Sequence, residues 1–394
     1  MKTLNQKLKD NIETLLEKIY IVVLILWISY FFLNTTTFRV QWPEFYYTSI
    51  RIAFVAIIFM RACYSKTYSY IELGIIGILF VCFSFAVYRN GYTELKDALL
   101  VIFGAKDISF KKLLKIYSGT IGILLLLTII LALRGYIDNL IYYQDGRRPR
   151  IAFGIGYPTD FSAYIFYILL AYFYIRGKRI KYLEIVSGIV AAIAVYWFCD
   201  ARLNTICILL LSAIFLYNRI IQKICEKNNK LYIMNRLWSH CLTLSATIAS
   251  IFMILLTLFY STDNHAIQLI NNLLNNRLFY GNRGIKIYGL SFWGQYIPQQ
   301  GAGGSTESIT HYFFLDVSYV SILLRYGIVI LGLVLLIWLI IGIKAQKGRN
   351  WELLWAIALV AIQCAVEHHM LEVVYCPFLW ALFANTNEQE KIEV

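Results

Sequence analysis

Apolar blocks of about 15 to 25 residues recur along the whole chain, each parted from the next by a short connector that carries Lys or Arg. No other feature restricts the fold as strongly. A bilayer core about 30 Å thick is crossed by about 20 apolar residues in a helix. Within lipid a non-barrel chain must satisfy its backbone polar groups inside each segment, so the blocks predict helices. The fold class is therefore an all-α, polytopic transmembrane helix bundle. Composition agrees, since 59% of the 394 residues are hydrophobic and 15% charged, against about a quarter charged in a soluble domain. A single membrane domain over 1–394 is expected, with no soluble module attached.

The blocks fall at 19–33, 46–60, 68–88, 95–105, 113–133 and 160–175, then at 182–198, 203–217, 237–259, 317–343, 351–366 and 373–384, giving about twelve spans. Basic clusters sit on every second connector, among them Lys106/Lys111/Lys112/Lys115, Arg176/Lys178/Arg179/Lys181 and Arg219/Lys223/Lys227/Lys230. The excess of Lys and Arg in cytoplasmic loops then puts both termini in the cytoplasm. Most of the net charge of +13 is thus accounted for by topology and gives no ground for a nucleic-acid partner. The weakest block, 95–105, is short and opens with Lys96-Asp97 just inside it. It is kept as a span because otherwise the Arg61/Lys66 and Lys106–Lys115 clusters would face opposite sides. Residues 4–16 carry Leu4, Leu8, Ile12, Leu15 and Leu16 on one stripe, which predicts a helix on the inner leaflet. The first block has no small-residue cleavage site after it and is expected to be a retained anchor.

The basic residues left on the other side are mostly arginines. A basic outer loop, 134–157, holds Arg134, Arg147, Arg148 and Arg150. A long outer loop, 261–316, holds Arg277 and Arg283, with an amphipathic helix predicted over 267–278 and a Gly-rich lid around 301–305. Arg202 lies at a short outer turn, and Arg325 lies about eight residues into a block. A cation at membrane depth is expensive and usually faces the bundle interior. Arginine also favours planar, bidentate recognition of phosphate or carboxylate. Apolar walls with guanidinium groups at one end would suit a lipid-linked phosphate. Arg150, Arg202 and Arg325 are the candidates for that role, while Arg147 and Arg148 are expected in water.

Several chemistries find no motif. There is no Walker A pattern, no Asp-x-Asp pair and no His-Glu-x-x-His. The eight cysteines include no Cys-x-x-Cys and read as packing residues. His368-His369, between Glu367 and Glu372, could imitate a metal site. Adjacent residues of a helix point about 100° apart, which makes the pair a poor chelate. Neither a metal nor a cofactor is expected.

Five stretches carry a resemblance to a known family. They are Arg150-Ile-Ala-Phe-Gly-Ile-Gly-Tyr-Pro-Thr-Asp160, Asp200-Ala-Arg202-Leu-Asn-Thr, and Asn276-Arg277-Leu278 with Tyr288-Gly-Leu-Ser-Phe-Trp-Gly294. The others are His311 through Asp316-Val-Ser-Tyr319 to Arg325-Tyr-Gly327, and Glu367–Pro377. Together these cover roughly the last 250 residues. In order and placement they resemble bacterial polysaccharide polymerases of the O-antigen polymerase/ligase superfamily. The resemblance implies a GT-C-like glycosyltransferase in a bacterial cytoplasmic membrane. It would polymerise undecaprenyl-pyrophosphate-linked oligosaccharide repeats into a capsule, exopolysaccharide or O-antigen at the outer face. Partners would be membrane lipid, the growing polysaccharide, a repeat-unit flippase and a chain-length regulator.

A donor already activated on a lipid needs no ATP, and arginines can stabilise its leaving pyrophosphate without a metal. Catalytic roles then fall to Arg202 and Arg325, with His311 or Asp316 as base. Substrate contacts fall to Arg150, Arg277, Arg283, Glu367 and His368. Alternatives are a glycan ligase using the same donor, a transporter of lipid-linked glycan, and a membrane partner without catalysis. The transporter lacks support from any internal repeat.

Overall fold

A computed structural model describes residues 2–65, 67–144, 146–228, 234–306 and 311–387. Among them nearly all the regular secondary structure is helix. The first half contains α1 (Lys2–Asn34), α2 (Glu44–Met60) with a π-helical continuation Arg61–Ser65, α3 (Tyr70–Asn90), α4 (Glu94–Gly104) and α5 (Phe110–Leu133). A short ribbon of β1 (Ile141–Tyr142) and β2 (Arg150–Ile151) leads to α6 (Pro158–Arg176), α7 (Tyr182–Cys199) and α8 (Arg202–Lys227). The remainder comprises α9 (Arg236–Thr243), α10 (Ser245–Leu258), α11 (His265–Leu273), α12 (Arg277–Tyr288), α13 (Ser318–Arg325), α14 (Gly327–Lys347) and α15 (Trp351–Cys364). A 3-10 turn at Pro377–Leu382 follows α15.

Among the described residues, seven helices are long and apolar enough to cross a membrane: α1, α2, α3, α5, α7, α8 and α14. The pair α9–α10, bent by 57°, makes an eighth if it crosses as a unit. The other expected spans differ for physical reasons. The 95–105 block is the eleven-residue α4, about 16 Å long at 1.5 Å per residue. The 373–384 block holds a 3-10 turn, and α15 has only 14 residues. α6 has 19 residues but carries Tyr164, Tyr167, Tyr172 and Tyr174, which lower its hydropathy. It is packed against α5, α7, α8 and α15, with most of its side chains buried. Elements enclosed by other helices need not present twenty apolar residues to lipid, because protein satisfies their polar groups.

Asp97 illustrates this. It is buried in α4 and accepts hydrogen bonds from Nε and Nη2 of Arg51 in α2, at 2.8 and 2.7 Å, and from the Tyr47 hydroxyl. The acidic residue that weakens the 95–105 block is therefore paired inside the bundle.

The two ends of the bundle differ in character. At one, Lys112 meets Glu17 at 2.6 Å, Lys106 meets Glu72 at 2.7 Å, and Arg61 reaches Glu13. Lys344 donates to the carbonyls of Ala381 and Ala384, and the Phe110 amide donates to the carbonyl of Asn385. The start of α1 and the segment around Asn385 thus share the end that gathers the basic connectors. α4 returns the chain from Tyr92, bonded to Ile297, to that same end, where the Gly104 carbonyl accepts from Arg61.

At the opposite end the ribbon loop meets the long loop. Gly156 NH donates to the Thr35 carbonyl, Gly304 NH to the Gly156 carbonyl, and the Tyr142 hydroxyl to that same oxygen. The long loop is built differently from its prediction. The expected helix 267–278 is broken at Asn275 and Asn276, both left-handed. α11 keeps the amphipathic stripe, whereas α12 packs inside, with Gly281 against Thr257 and Gly284 against Leu324.

The break between α13 and α14 is held by this loop. Ile328 and Val329, at the first turn of α14, donate to the carbonyls of Ser291 and Phe292 at 3.0 and 3.1 Å. The carbonyl of Arg325, ending α13, accepts from Gln295 NH and Asn90 Nδ2. Groups that a helix break leaves unpaired are satisfied by an adjacent loop.

Candidate active site

After α15 the chain does not continue as helix. Ser318, at the start of α13, donates from Oγ to the Glu367 carbonyl at 2.6 Å and accepts from Met370 NH at 3.3 Å. Tyr319 donates to the Ala361 carbonyl. These bonds pin residues 365–376 as an irregular segment against α13. Tyr375 stacks on His369 at 3.8 Å and on Tyr164 at 4.2 Å. Non-helical backbone buried within a bundle is where polar side chains can be concentrated.

Arg277, the first residue of α12, lies between two carboxylates. Its Nη2 is 3.2 Å from Glu367 Oε1 and its Nε 3.6 Å from Asp316 Oδ2. Glu367 is 3% exposed and Arg277 10%. Burial pushes the Glu367 carboxyl up to about 7, with Arg277 opposing, and raises Asp316 above its usual range. A carboxyl titrating near neutrality can act as a proton acceptor and donor.

His368 and His369 adjoin this triad. His369 is fully buried, with Nδ1 3.2 Å from Glu372 Oε2 and Nε2 3.7 Å from Asp160 Oδ1. His368 Nε2 lies 3.5 Å from Glu372 Oε1. Burial lowers both imidazoles to about 3, leaving them neutral, and raises Glu372. The helical argument against this pair does not apply, because His369 opens a 3-10 turn and the two rings lie only 4.3 Å apart. One ligand atom from each of Asp160, His368 and His369 falls within 4.8 Å of the others, as does one from each of Asp316, Glu367 and His368.

A cavity of about 460 Å³ opens beside the cluster. Trp27, Tyr30, Phe31 and Tyr47 line it together with Arg325, His368 and Glu372. The Arg325 guanidinium sits 3.8 Å over the Tyr92 ring, and its buried Nε has no hydrogen-bond partner. A second cavity, of about 380 Å³, is lined by Phe279, Tyr280, Arg283, Tyr288, His311 and Tyr312, among others. Burial and the nearby Asp316 raise the Tyr312 hydroxyl, and Tyr312 also feels Arg277, so this cavity adjoins the triad from the loop side.

The expected site residues divide accordingly. Asp316, Arg277, Glu367 and His368 come together, with Arg325 at the main cavity. Arg283 and the exposed His311 share the second cavity. Arg150 is buried, donates from Nε to the Cys199 carbonyl at 3.0 Å and from Nη1 to the Tyr157 hydroxyl at 3.2 Å, and lies close enough to influence Glu367.

Arg202 departs from its expected place. Its side chain is 57% exposed, and it approaches Asp200 only at 3.7 Å. Arg147 takes the enclosed position instead, at 12% exposure, pairing with Asp200 at 2.6 Å and donating to its carbonyl. The cause is local: Asp200 is left-handed between α7 and α8, which turns its carboxylate toward the 134–157 loop.

Sequence reasoning gave no role to Asp160, Glu372, Ser318 or Tyr375. Asp160 follows Pro158-Thr in the first turn of a helix, where an acidic residue usually signals only dipole compensation. Its meeting with His369, 209 positions later, has no local signal. No family profile, curated protein or solved structure matches the chain.

Proposed function

We propose that the chain is a lipid-linked-donor glycosyltransferase, polymerising undecaprenyl-pyrophosphate-linked oligosaccharide repeats into a surface polysaccharide. The observation that carries this is the placement of Arg325, with an unpartnered Nε, in an aromatic-walled cavity beside a buried Arg277–Glu367–Asp316 triad. Aromatic walls suit an isoprenoid tail, and a guanidinium plane suits the oxygens of a pyrophosphate. The second cavity, with its tyrosines, Arg283 and His311, suits the acceptor glycan.

In the proposed reaction the acceptor hydroxyl loses its proton to Glu367 or Asp316. Its oxygen bonds to the anomeric carbon of the donor. The bond from that carbon to the pyrophosphate oxygen breaks, and the electron pair leaves with the lipid pyrophosphate, whose charge Arg325 stabilises. Arg277 holds the two carboxylates in place between the cavities. The basic end of the bundle faces the cytoplasm, as the distribution of Lys and Arg favours. The site then opens to the outer leaflet of a bacterial cytoplasmic membrane. On this reading the enclosed α4, α6, α15 and 373–384 segments complete a GT-C-like arrangement of about twelve passes, and a flippase and a chain-length regulator are its working partners.

Reconstitution with synthetic lipid-pyrophosphate repeat units tests the proposal. A ladder of products differing by one repeat supports it. Transfer of a single repeat to an unrelated acceptor would indicate a ligase, and no transfer at all would reject the reaction class.

A further inference from the structure

We propose that Asp160, His368 and His369 form a binding site for a divalent d-block ion of the zinc class, with Glu372 orienting the imidazoles. Three observations support the site. One ligand atom from each of the three residues lies within 4.8 Å of the others, as ligands around one ion require. His369 is completely buried, and Glu372 occupies its Nδ1 at 3.2 Å. A neutral imidazole that donates from Nδ1 has its lone pair on Nε2. That nitrogen has no hydrogen-bond partner and faces Asp160 Oδ1 at 3.7 Å.

A lone pair pointed at a carboxylate oxygen is unfavourable, and a cation held between the two atoms would relieve it. Two ligands of a tetrahedral zinc ion, each about 2.0–2.2 Å from it, sit about 3.4 Å apart, close to the separation found. Glu372 supplies the outer contact that metal-bound histidines usually make, a carboxylate on the far ring nitrogen. It also lies 3.5 Å from His368 Nε2, while the buried His368 Nδ1 has no hydrogen-bond partner. The neighbouring set of Asp316, Glu367 and His368 is a weaker candidate, because Arg277 already engages both of its carboxylates. Two imidazoles and one carboxylate select zinc, cobalt or a similar ion over magnesium or calcium.

The test uses full-length protein in detergent and needs no substrate, so its result is independent of the polymerase proposal. Element analysis of protein purified without chelators should find about one zinc-class ion per chain. Chelator-stripped protein titrated with Co2+ should develop the visible absorption of a four-coordinate cobalt site. Asp160→Asn preserves volume and should abolish that band while helical content and size-exclusion behaviour stay those of the stripped wild type. Glu372→Gln should weaken Co2+ binding about 10- to 100-fold without removing the band. If stripped wild-type protein gives no such band, or if Asp160→Asn binds Co2+ as wild type does, the site is refuted.

Discussion

Gly294 and Gly327 lie at one close backbone contact that leaves no room for a side chain on either. A Cβ on Gly327 would stand 2.5 Å from the Gly294 nitrogen, and a Cβ on Gly294 would overlap the carbonyl oxygen of Arg325. Both residues have positive φ, +83° and +90°. This interlock holds the long loop against the break between α13 and α14, and so fixes where Arg325 ends its helix.

Gly327→Ala and Gly294→Ala should therefore each destabilise the protein by at least the strain of a left-handed non-glycine residue, about 1–3 kcal/mol. Gly332→Ala, in α14 with open space around its Cβ, should be neutral or slightly stabilising. Thermal unfolding of the three purified variants in one detergent checks the contrast. Equal midpoints for Gly327→Ala and Gly332→Ala would show that the interlock contributes nothing.

Arg325→Lys should lose most chain extension although the charge is kept. A lysine ammonium cannot reproduce the planar fork at a pyrophosphate or lie flat on Tyr92. Polymer length in cells, normalised to membrane protein level, is the readout. Full-length polymer from this variant would remove Arg325 from the reaction.

Arg147→Ala should cost about 3 kcal/mol, because it strands the buried Asp200 carboxylate. Arg202→Ala should cost about 0–1 kcal/mol, as expected of a largely exposed ion pair. Denaturation in mild detergent measures the difference. A larger loss for Arg202→Ala would restore it to the embedded role its sequence position suggested.

Glu367→Gln should abolish the product ladder while the chain still inserts. The change removes a charged partner of Arg277 and one of the two candidate proton acceptors between the cavities. Comparing Glu367→Gln with Asp316→Asn in the reconstituted assay identifies the base. The residue whose amide retains turnover is the one that only positions Arg277.

Cysteines introduced singly at Lys111, Arg179 and Lys347 should be labelled by membrane-impermeant reagents only after the cells are opened. Cysteines at Tyr143 and Ser305 should be labelled in intact cells. Labelling of position 179 from outside would invert the orientation of the bundle.

The helical class and the gathering of basic connectors at one end were legible from hydropathy and charge, because both follow from local composition. Span lengths were not. Whether a segment such as α4 or α6 meets lipid or other helices depends on its neighbours, and Asp97 looks unfavourable until Arg51 is placed beside it. Arg277, Asp316, Glu367 and His368 were legible as individual residues worth attention, but their convergence was not, since they are contributed from positions up to 91 residues apart. The reversal of Arg147 and Arg202 turned on one left-handed residue, Asp200, whose conformation its sequence does not announce. The helix expected at the histidine pair is absent, because Ser318 holds the backbone there in turns.

The irregular 365–376 segment also has a consequence for the order of assembly. Glu367, His368, His369, Glu372 and Tyr375 are translated only after the last long helix, α14, has emerged. Arg277 must wait in the bundle with Asp316 and the Leu274 carbonyl as its partners until Glu367 arrives, and Asp160 waits longer still for His369. The cluster is consequently completed only when the 365–376 segment docks against α13. A chain that has emerged only as far as α14 holds Arg277 and Asp316 but lacks the carboxylates and imidazoles of 367–372 that complete the cluster.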